Sequence, residues 1–173
     1  MIELELTYLA KWIPEGLKSF PTKEVMDLYI PKTSSHPKLR VRMNDDHLEM
    51  TKKVPLKEGD VSQQREYTIP LSEAEFKALS TLDGKQIHKI RYLYPCQGRT
   101  AEIDVFLGDL AGLVLVDVEF DSLKAKKHFK MPDFCLSEVT QEDFIAGGML
   151  CGKQYKDIEA DLRRFGYKRL LLR

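Results

Sequence analysis

The sequence predicts an α+β fold, with antiparallel strands over most of the first 120 residues and helices after them. Short runs in which apolar and charged residues alternate are typical of strands, because successive strand side chains point to opposite faces. Turn residues separate these runs at spacings that suit hairpins. Beyond residue 121 the apolar residues take a helical spacing instead.

Strands account for most of the predicted elements. The opening run over 2–10 alternates from its second residue, and the turn at Asn44-Asp45-Asp46 joins two later runs into a hairpin. Residues 24–30 suit a strand and a helix equally well, so their state stays open at this point. The remaining strands are predicted at 38–43, 47–54, 63–70, 86–94, 101–107 and 113–120.

One helix is predicted within the strand-rich part, at 72–82, where Ser72 and Glu75 have the spacing of a capping box. Further helices are predicted at 121–128, 141–151 and 154–165, with interruptions at Pro132-Asp133 and Gly147-Gly148. No linker divides the chain. We therefore expect residues 1–173 to form a single domain, with a helical C-terminal extension from about residue 141.

Composition excludes several classes of function. Lysine plus arginine equals aspartate plus glutamate at 27 each, so the chain has no net basic charge for nucleic acid. Three widely spaced cysteines without a CxxC pair predict free thiols in a reducing compartment. The sequence shows neither a signal peptide nor an apolar stretch long enough to span a bilayer. We expect a soluble cytoplasmic protein without nucleic-acid or membrane partners.

Five predicted strands carry two charges of the same sign at positions i and i+2. Like charges side by side repel, so surface strands usually mix signs. Here each strand is sorted by sign, and the sign differs between strands. The pairs are Glu3 with Glu5, Arg40 with Arg42, Lys89 with Arg91, Glu102 with Asp104, and Asp117 with Glu119, while Lys53 and Glu66 add single charges in two further strands.

Two interpretations of these charges stay open. In the first, they form the solvated face of ordinary sheets. In the second, the sheet curls into a barrel around a water-filled tunnel, because unpaired ions in a dry interior are costly, and helices at 72–82 and 141–165 cover the apolar outer face. Paired carboxylates bind Mg²⁺ or Mn²⁺, and clustered arginines and lysines bind phosphate oxygens. Such a tunnel would suit a metal-bound polyphosphate.

The order of these motifs resembles the CYTH domain, the family of triphosphate tunnel metalloenzymes. That family runs through ExExK, RxR, TxK, a glutamate-bearing strand, KxR, ExD and ExE, followed by EVT. The matching segments are Glu3-Leu4-Glu5, Arg40-Val41-Arg42, Thr51-Lys52-Lys53, Glu66, Lys89-Ile90-Arg91, Glu102-Ile103-Asp104, Asp117-Val118-Glu119 and Glu138-Val139-Thr140. The resemblance covers residue 2 to about residue 150.

The resemblance implies an eight-stranded antiparallel β-barrel and metal-dependent hydrolysis of a triphosphate, with inorganic tripolyphosphate expected ahead of thiamine or nucleoside triphosphates. Mg²⁺ or Mn²⁺ would be held by Glu3, Glu5, Asp117 and Glu119. The phosphates would be bound by Arg40, Arg42, Lys53, Lys89 and Arg91. Further acidic positions of the tunnel wall would be Glu66, Glu102 and Asp104. For the catalytic residue that orients the attacking water, we expect Glu5 or Glu119.

Two other functions stay open. One is a class IV adenylyl cyclase, which would make cyclic AMP from ATP in the same tunnel. The other is a polyphosphate-binding module without turnover, motivated by Thr7 in place of the ExExK lysine and by Gln64 where a second acid often accompanies Glu66. The amphipathic stretch at 157–164 is a candidate for a homodimer contact, which the sequence leaves undecided.

Overall fold

Nine strands and four α-helices form the regular structure of residues 2–172, which are the residues that the computed structural model describes. The strands are β1 (Ile2–Ala10), β2 (Thr22–Ile30), β3 (Leu39–Asn44), β4 (His47–Lys57), β5 (Asp60–Pro70), β6 (Lys85–Cys96), β7 (Arg99–Phe106), β8 (Val114–Glu119) and β9 (Cys135–Glu138). The helices are α1 (Glu73–Leu79), α2 (Leu123–His128), α3 (Gly147–Leu150) and α4 (Tyr155–Arg164). Among the helices of this part of the chain, none is both long and apolar enough to cross a membrane.

Eight of the strands close into an antiparallel barrel. Their order is β1-β5-β4-β3-β2-β6-β7-β8, and β8 pairs in turn with β1. Five of the eight neighbouring pairs are consecutive in the chain, and two-residue turns join three of them, such as the one in which Gln97 and Gly98 both have positive φ. The predicted α+β fold with an eight-stranded barrel is confirmed.

One edge of β1 is shared between two partners. Residues 2–4 pair with β5, whereas residues 8–10 pair with β9, which stands outside the eight-stranded ring. The sequence did not predict β9, because its four residues show no alternation and follow the interruption at Pro132-Asp133. Its strand conformation depends on the hydrogen-bonding edge that β1 offers, which is a tertiary contact.

The inner face of the barrel changes from charged to apolar along its length. On β1 the inward positions begin with Glu3 and Glu5 and end with the fully buried Leu9, because alternate residues share a face. On β8 the same change runs from Asp117 to Leu115. At the apolar end, these side chains join one hydrophobic cluster with residues of the C-terminal segment, among them Phe144, Leu150, Ile158 and Leu162.

The outer face is covered by different elements from those predicted. We expected the helices at 72–82 and 141–165 to cover it, but α1 has no buried residue, and the C-terminal segment packs at the apolar end of the barrel instead. Over β1, β6, β7 and β8 the covering residues include Leu17 from a 3₁₀ turn, Ala125 from α2, and Phe129 and Phe134 from irregular segments. On the other side, β5 leaves Tyr67 and Ile69 each 53% exposed. Of these covering elements only α2 lies within a predicted helix, at 121–128, and the remaining segments leave no helical signal in the sequence.

Two segments differ locally from the sequence analysis. The undecided residues 24–30 form part of β2, because β3 and β6 both hydrogen-bond to them. The helix predicted at 141–151 is instead a 3₁₀ turn at Asp143–Ile145 followed by the single turn of α3. Here Gly147 lies so close to Tyr29, and Gly148 so close to the carbonyl of Pro37, that a Cβ on either glycine would overlap its neighbour. The chain bends at these two glycines, so that its backbone lies close to Tyr29 and Pro37.

Candidate active site

A cavity of about 430 Å³ lies inside the barrel. All the site residues named from the sequence line it: Glu3, Glu5, Arg40, Arg42, Lys53, Glu66, Lys89, Arg91, Glu102, Asp104, Asp117 and Glu119. The charged faces of the strands therefore surround one cavity and do not form the outer surface of an open sheet. The individual roles assigned to these residues stay predictions.

The register of the strands decides which charges become neighbours. Glu5 on β1 lies directly opposite Glu119 on β8, so two carboxylates share one rung of the barrel. In the pairing of β6 with β7, Arg91 lies opposite Asp104. Side chains on directly paired residues are about 5 Å apart at Cβ, which brings each pair within reach of a common ligand. The barrel thus has an acidic side at β1–β8 and a mixed side at β6–β7.

At the acidic side, two carboxylates contact one hydroxyl group. Thr7 donates a hydrogen bond to Oδ1 of Asp117 at 2.7 Å and lies 3.4 Å from Oε1 of Glu5. Burial, with the charges of Glu5 and Asp104, raises the pKa of Asp117 to about 7. Burial and the neighbouring carboxylates also raise the pKa of Glu119. Burial is the largest cause for both groups and repulsion between the neighbouring carboxylates adds to it, a repulsion that a bound cation would relieve.

Lys53 reaches three carboxylates from β4. Its Nζ lies 2.5 Å from Glu3, 3.7 Å from Glu5 and 3.8 Å from Glu66. Burial opposes the charge on Lys53, but the charges of Glu5 and Glu3 outweigh it and raise the pKa of the ammonium group. For Glu3 burial is the larger effect, and its pKa rises to about 7. Lys53 therefore remains a cation beside the acidic side of the cavity.

Asp104 holds two bases together. Arg91 donates two hydrogen bonds to its carboxylate, from Nε at 2.7 Å and from Nη2 at 2.8 Å. Lys89 forms an ion pair with the same carboxylate. Burial alone would raise the pKa of Asp104, but Arg91 and Lys89 hold it at about 2. Arg91 also pairs with Glu102 and approaches Asp117 at 3.5 Å. This geometry favours an orienting role for Asp104 over a role in binding metal.

Sequence reasoning missed Asp27, which orients the arginine pair of β3. Arg42 contacts both oxygens of Asp27, at 2.7 and 2.9 Å, and Nε of Arg40 lies 3.8 Å away. Arg40 also donates to the hydroxyl of Tyr29 at 3.0 Å. The available signal was an acid flanked by the apolar residues Met26 and Leu28, but the undecided state of 24–30 left the direction of its side chain unknown. Asp27 and Tyr29 give both guanidinium groups a fixed direction.

The acidic side of the cavity has the donors that a hard divalent cation needs. Mg²⁺ is usually held by one or two carboxylates, with waters and substrate phosphates completing its coordination. Glu5 and Glu119, opposite each other on one rung, meet this requirement. Within residues 2–172, no set of three or more His, Cys, Asp or Glu side chains is arranged to hold a metal ion by itself.

Two characterised proteins are similar to this chain over most of its length. An inorganic triphosphatase from Nitrosomonas europaea is 33% identical over 145 residues, which are 82% of this chain and 91% of the relative. An inorganic triphosphatase from Acetivibrio thermocellus is 32% identical over 121 residues, which are 70% of this chain and 76% of the relative. No protein-family profile matches the chain.

Solved structures show the same architecture. The crystal structure of the inorganic triphosphatase NE1496 superimposes with a TM-score of 0.61 at 29% identity, covering 86% of this chain and 93% of that one. The protein PH1012 from Pyrococcus horikoshii gives a TM-score of 0.50 at 18% identity, covering 96% of this chain and 91% of that one. The second comparison bears on the fold alone.

Proposed function

This chain belongs to the CYTH family of triphosphate tunnel metalloenzymes, and we propose that it hydrolyses inorganic tripolyphosphate with Mg²⁺ or Mn²⁺ inside its barrel. It is a triphosphate hydrolase. The choice of substrate rests on the two relatives, which are both inorganic triphosphatases. We also propose a cytoplasmic location, as expected from the free cysteines.

One observation carries the proposal: a single cavity inside the barrel is lined by both an arginine–lysine wall and a carboxylate wall. Buried acids already orient two of these arginines: Asp27 orients Arg42, and Asp104 orients Arg91. An aimed guanidinium group binds phosphate oxygens in a forked pair and needs no reorganisation during the reaction. The cavity is therefore suited to a chain of phosphates.

We assign the phosphates to the five basic residues of the wall: Arg40, Arg42, Lys53, Lys89 and Arg91. They come from β3, β4 and β6, so they can contact successive phosphoryl groups from several sides. In phosphoryl transfer the transition state carries its charge on the equatorial oxygens. Fixed cations around those oxygens stabilise that charge more than they stabilise the ground state.

We assign the divalent cation to the acidic side, with Glu5 and Glu119 as its main ligands and Glu3 and Asp117 beside them. Acidic side chains outnumber basic ones in the cavity lining, so a bare polyanion would be repelled. A bound Mg²⁺ or Mn²⁺ would supply charge neutralisation and polarise the phosphoryl oxygens. Glu5 or Glu119 would orient the water that attacks the terminal phosphorus as the phosphoanhydride bond breaks.

We further propose that residues 1–173 form one domain. Leu9 of the barrel and Ile158 of α4 belong to the same buried cluster, which ties the extension from about residue 141 to the barrel core. The homodimer contact suggested for 157–164 stays a prediction. Neither cyclisation of ATP nor binding without turnover is favoured by the two relatives.

The test is phosphate release from tripolyphosphate with Mg²⁺ or Mn²⁺. We expect Glu5→Gln to lower kcat/KM by roughly 100-fold or more, because a carboxylate that binds metal or orients water loses its charge. The matched control is Glu24→Gln, since Glu24 is also a strand glutamate but lies half-exposed beside His88 on the outer surface. If the wild-type protein leaves tripolyphosphate intact with either Mg²⁺ or Mn²⁺, the proposed substrate is refuted. If Glu5→Gln hydrolyses tripolyphosphate at the wild-type rate, Glu5 does not belong to the site.

A further inference from the structure

Thr7 is the one uncharged polar residue among the inward-facing positions of β1 that begin with Glu3 and Glu5. It is 6% exposed and lies opposite Asp117 in the β1–β8 pairing. Its hydroxyl donates to Oδ1 of Asp117 at 2.7 Å, and Oε1 of Glu5 lies at 3.4 Å as a second, weaker acceptor. A single neutral donor therefore stands between two of the carboxylates assigned to the cation.

The backbone of Thr7 is fixed at the place where β1 changes partners. Its N–H donates to Oγ1 of Thr140 at 3.0 Å, and its carbonyl accepts from the N–H of Val139 at 2.8 Å. These bonds fill the gap in the edge of β1 between the residues paired with β5 and those paired with β9. The hydroxyl of Thr7 thus projects from a backbone that is held on both sides.

Asp117 is held at both of its oxygens. Thr7 contacts Oδ1, and Nη2 of Arg91 lies 3.5 Å from Oδ2. A hydroxyl at position 7 orients the carboxylate without adding a further positive charge to those of Lys53 and Arg91 near Glu5 and Asp117. Ligand-orienting hydrogen bonds of this kind typically change metal affinity by roughly 10- to 100-fold when they are removed.

We propose that Thr7 is a positioning residue for the divalent cation, holding Asp117 beside Glu5 so that Glu5 and Glu119, with water completing the coordination, bind the cation before the triphosphate arrives. The inference rests on the proposed function for the identity of the ligand. It differs from a purely structural role for Thr7, in which the hydroxyl would stabilise the barrel without affecting cation affinity.

The experiment measures Mn²⁺ binding without any triphosphate, from the loss of the free Mn²⁺ signal in electron paramagnetic resonance. Thr7→Val keeps the size and strand preference of the side chain but removes the donor, and we expect its Mn²⁺ dissociation constant to rise roughly 10-fold. Thr7→Ser keeps the hydroxyl and should stay within about twofold of wild type. Should Thr7→Val not fold, Thr7→Ala removes the same donor and takes its place.

Thr51→Val is the matched control. Thr51 is also a buried strand threonine, and its hydroxyl contacts the carboxylate of Glu49 at 3.3 Å, which is not among the residues assigned to the cation. It should bind Mn²⁺ as wild type does. Thr7→Lys probes the charge itself, because an ammonium group beside Glu5 and Asp117 should abolish Mn²⁺ binding in the absence of triphosphate.

Three results would overturn the proposal: wild type that takes up no Mn²⁺ before triphosphate is added, Thr7→Val that binds as tightly as wild type, or Thr7→Ser that binds as weakly as Thr7→Val. Failure of the proposed function is a separate outcome. A wild type that binds Mn²⁺ in a Thr7-dependent way but releases no phosphate from tripolyphosphate would refute the substrate and leave the role of Thr7 intact.

Discussion

Asp27 shows how one buried residue can set the direction of two others. Its side chain is 2% exposed, and its two oxygens face Arg42 in a forked pair with Arg40 nearby. Burial alone would raise the pKa of Asp27, but the two arginines lower it far below its usual range. The carboxylate is thus ionised, and it offsets the cost of burying two guanidinium groups in the barrel.

Asp27→Asn tests that dependence. The substitution keeps the shape of the side chain but leaves Arg40 and Arg42 without their buried counter-charge, so we expect the free energy of unfolding to fall by about 3 kcal/mol. Urea unfolding measures the change. The control is Asp83→Asn, which breaks the exposed pair with Lys32 and should cost less than about 1 kcal/mol. Equal losses in the two variants would contradict a structural role for the buried pair.

The alternating direction of side chains along a strand predicted which residues line the cavity, because this alternation depends only on the local sequence. Glu3 with Glu5 and Asp117 with Glu119 each share a face in any strand, whatever the tertiary fold. Asp27 has no such partner two residues away, so no local pattern distinguished it. Its function in the fold depends on Arg42, which reaches it from the neighbouring strand β3.

At the scale of elements, α3 is placed by a contact that only glycine allows. A Cβ on Gly147 would overlap the hydroxyl of Tyr29, and Tyr29 is the residue that accepts a hydrogen bond from Arg40. The start of α3 therefore rests directly on the side chain that aims one arginine of the cavity. Alanine here would force either the helix or the tyrosine to move.

Gly147→Ala should accordingly lower the free energy of unfolding by about 1–3 kcal/mol and raise KM for tripolyphosphate. Tyr29→Phe removes the overlapping hydroxyl, although the ring carbon behind it would still lie 2.9 Å from the new Cβ. The alanine substitution should therefore cost less in a Tyr29→Phe background than in wild type. Urea unfolding of the four proteins in this double-mutant cycle measures the difference. Strictly additive losses would show that the clash lies elsewhere.

Local signals were enough for the helix that depends least on packing. α1 has no buried residue, yet its capping box is formed as the sequence predicts, with Ser72 accepting from the N–H of Glu75 and the Glu75 carboxylate accepting from the N–H of Ser72. The conformation of 141–151 depends instead on tertiary packing, because Gly147 and Gly148 lie in close contact with neighbouring parts of the protein. Propensity alone therefore predicted the first segment better than the second.

At the scale of the whole molecule, the barrel is stabilised in part by ion pairs between its own strands. Asp104 contacts Lys89 and Arg91 across the β6–β7 pair, and its folded pKa of about 2 lies below the value of roughly 3.9 for an unfolded aspartate. A carboxylate with a depressed folded pKa stabilises the protein above its unfolded pKa, and this contribution is lost as the pH falls through the folded pKa. Acid should therefore weaken the barrel.

We expect the free energy of unfolding to fall between about pH 4 and pH 2, with roughly 2–3 kcal/mol of the loss coming from Asp104. Urea unfolding across this pH range measures the slope. Asp104→Asn should be less stable at pH 7 but should show a shallower decline below pH 4, because the titrating group is gone. A decline as steep as that of wild type would assign the acid sensitivity to other carboxylates.

The sequence by itself determined which side chains share a face, where the hairpins turn, and which charges could meet a phosphate chain and a cation, because strand alternation and turn chemistry act within a few residues. Tertiary structure decided the rest: the register that places Glu5 opposite Glu119, the packing of the C-terminal segment against the apolar end of the barrel, and the bond from Thr7 to Asp117. Each of these joins residues about 100 or more positions apart or fixes one strand against another. Contacts of that range arise only when the barrel closes, which no local pattern encodes.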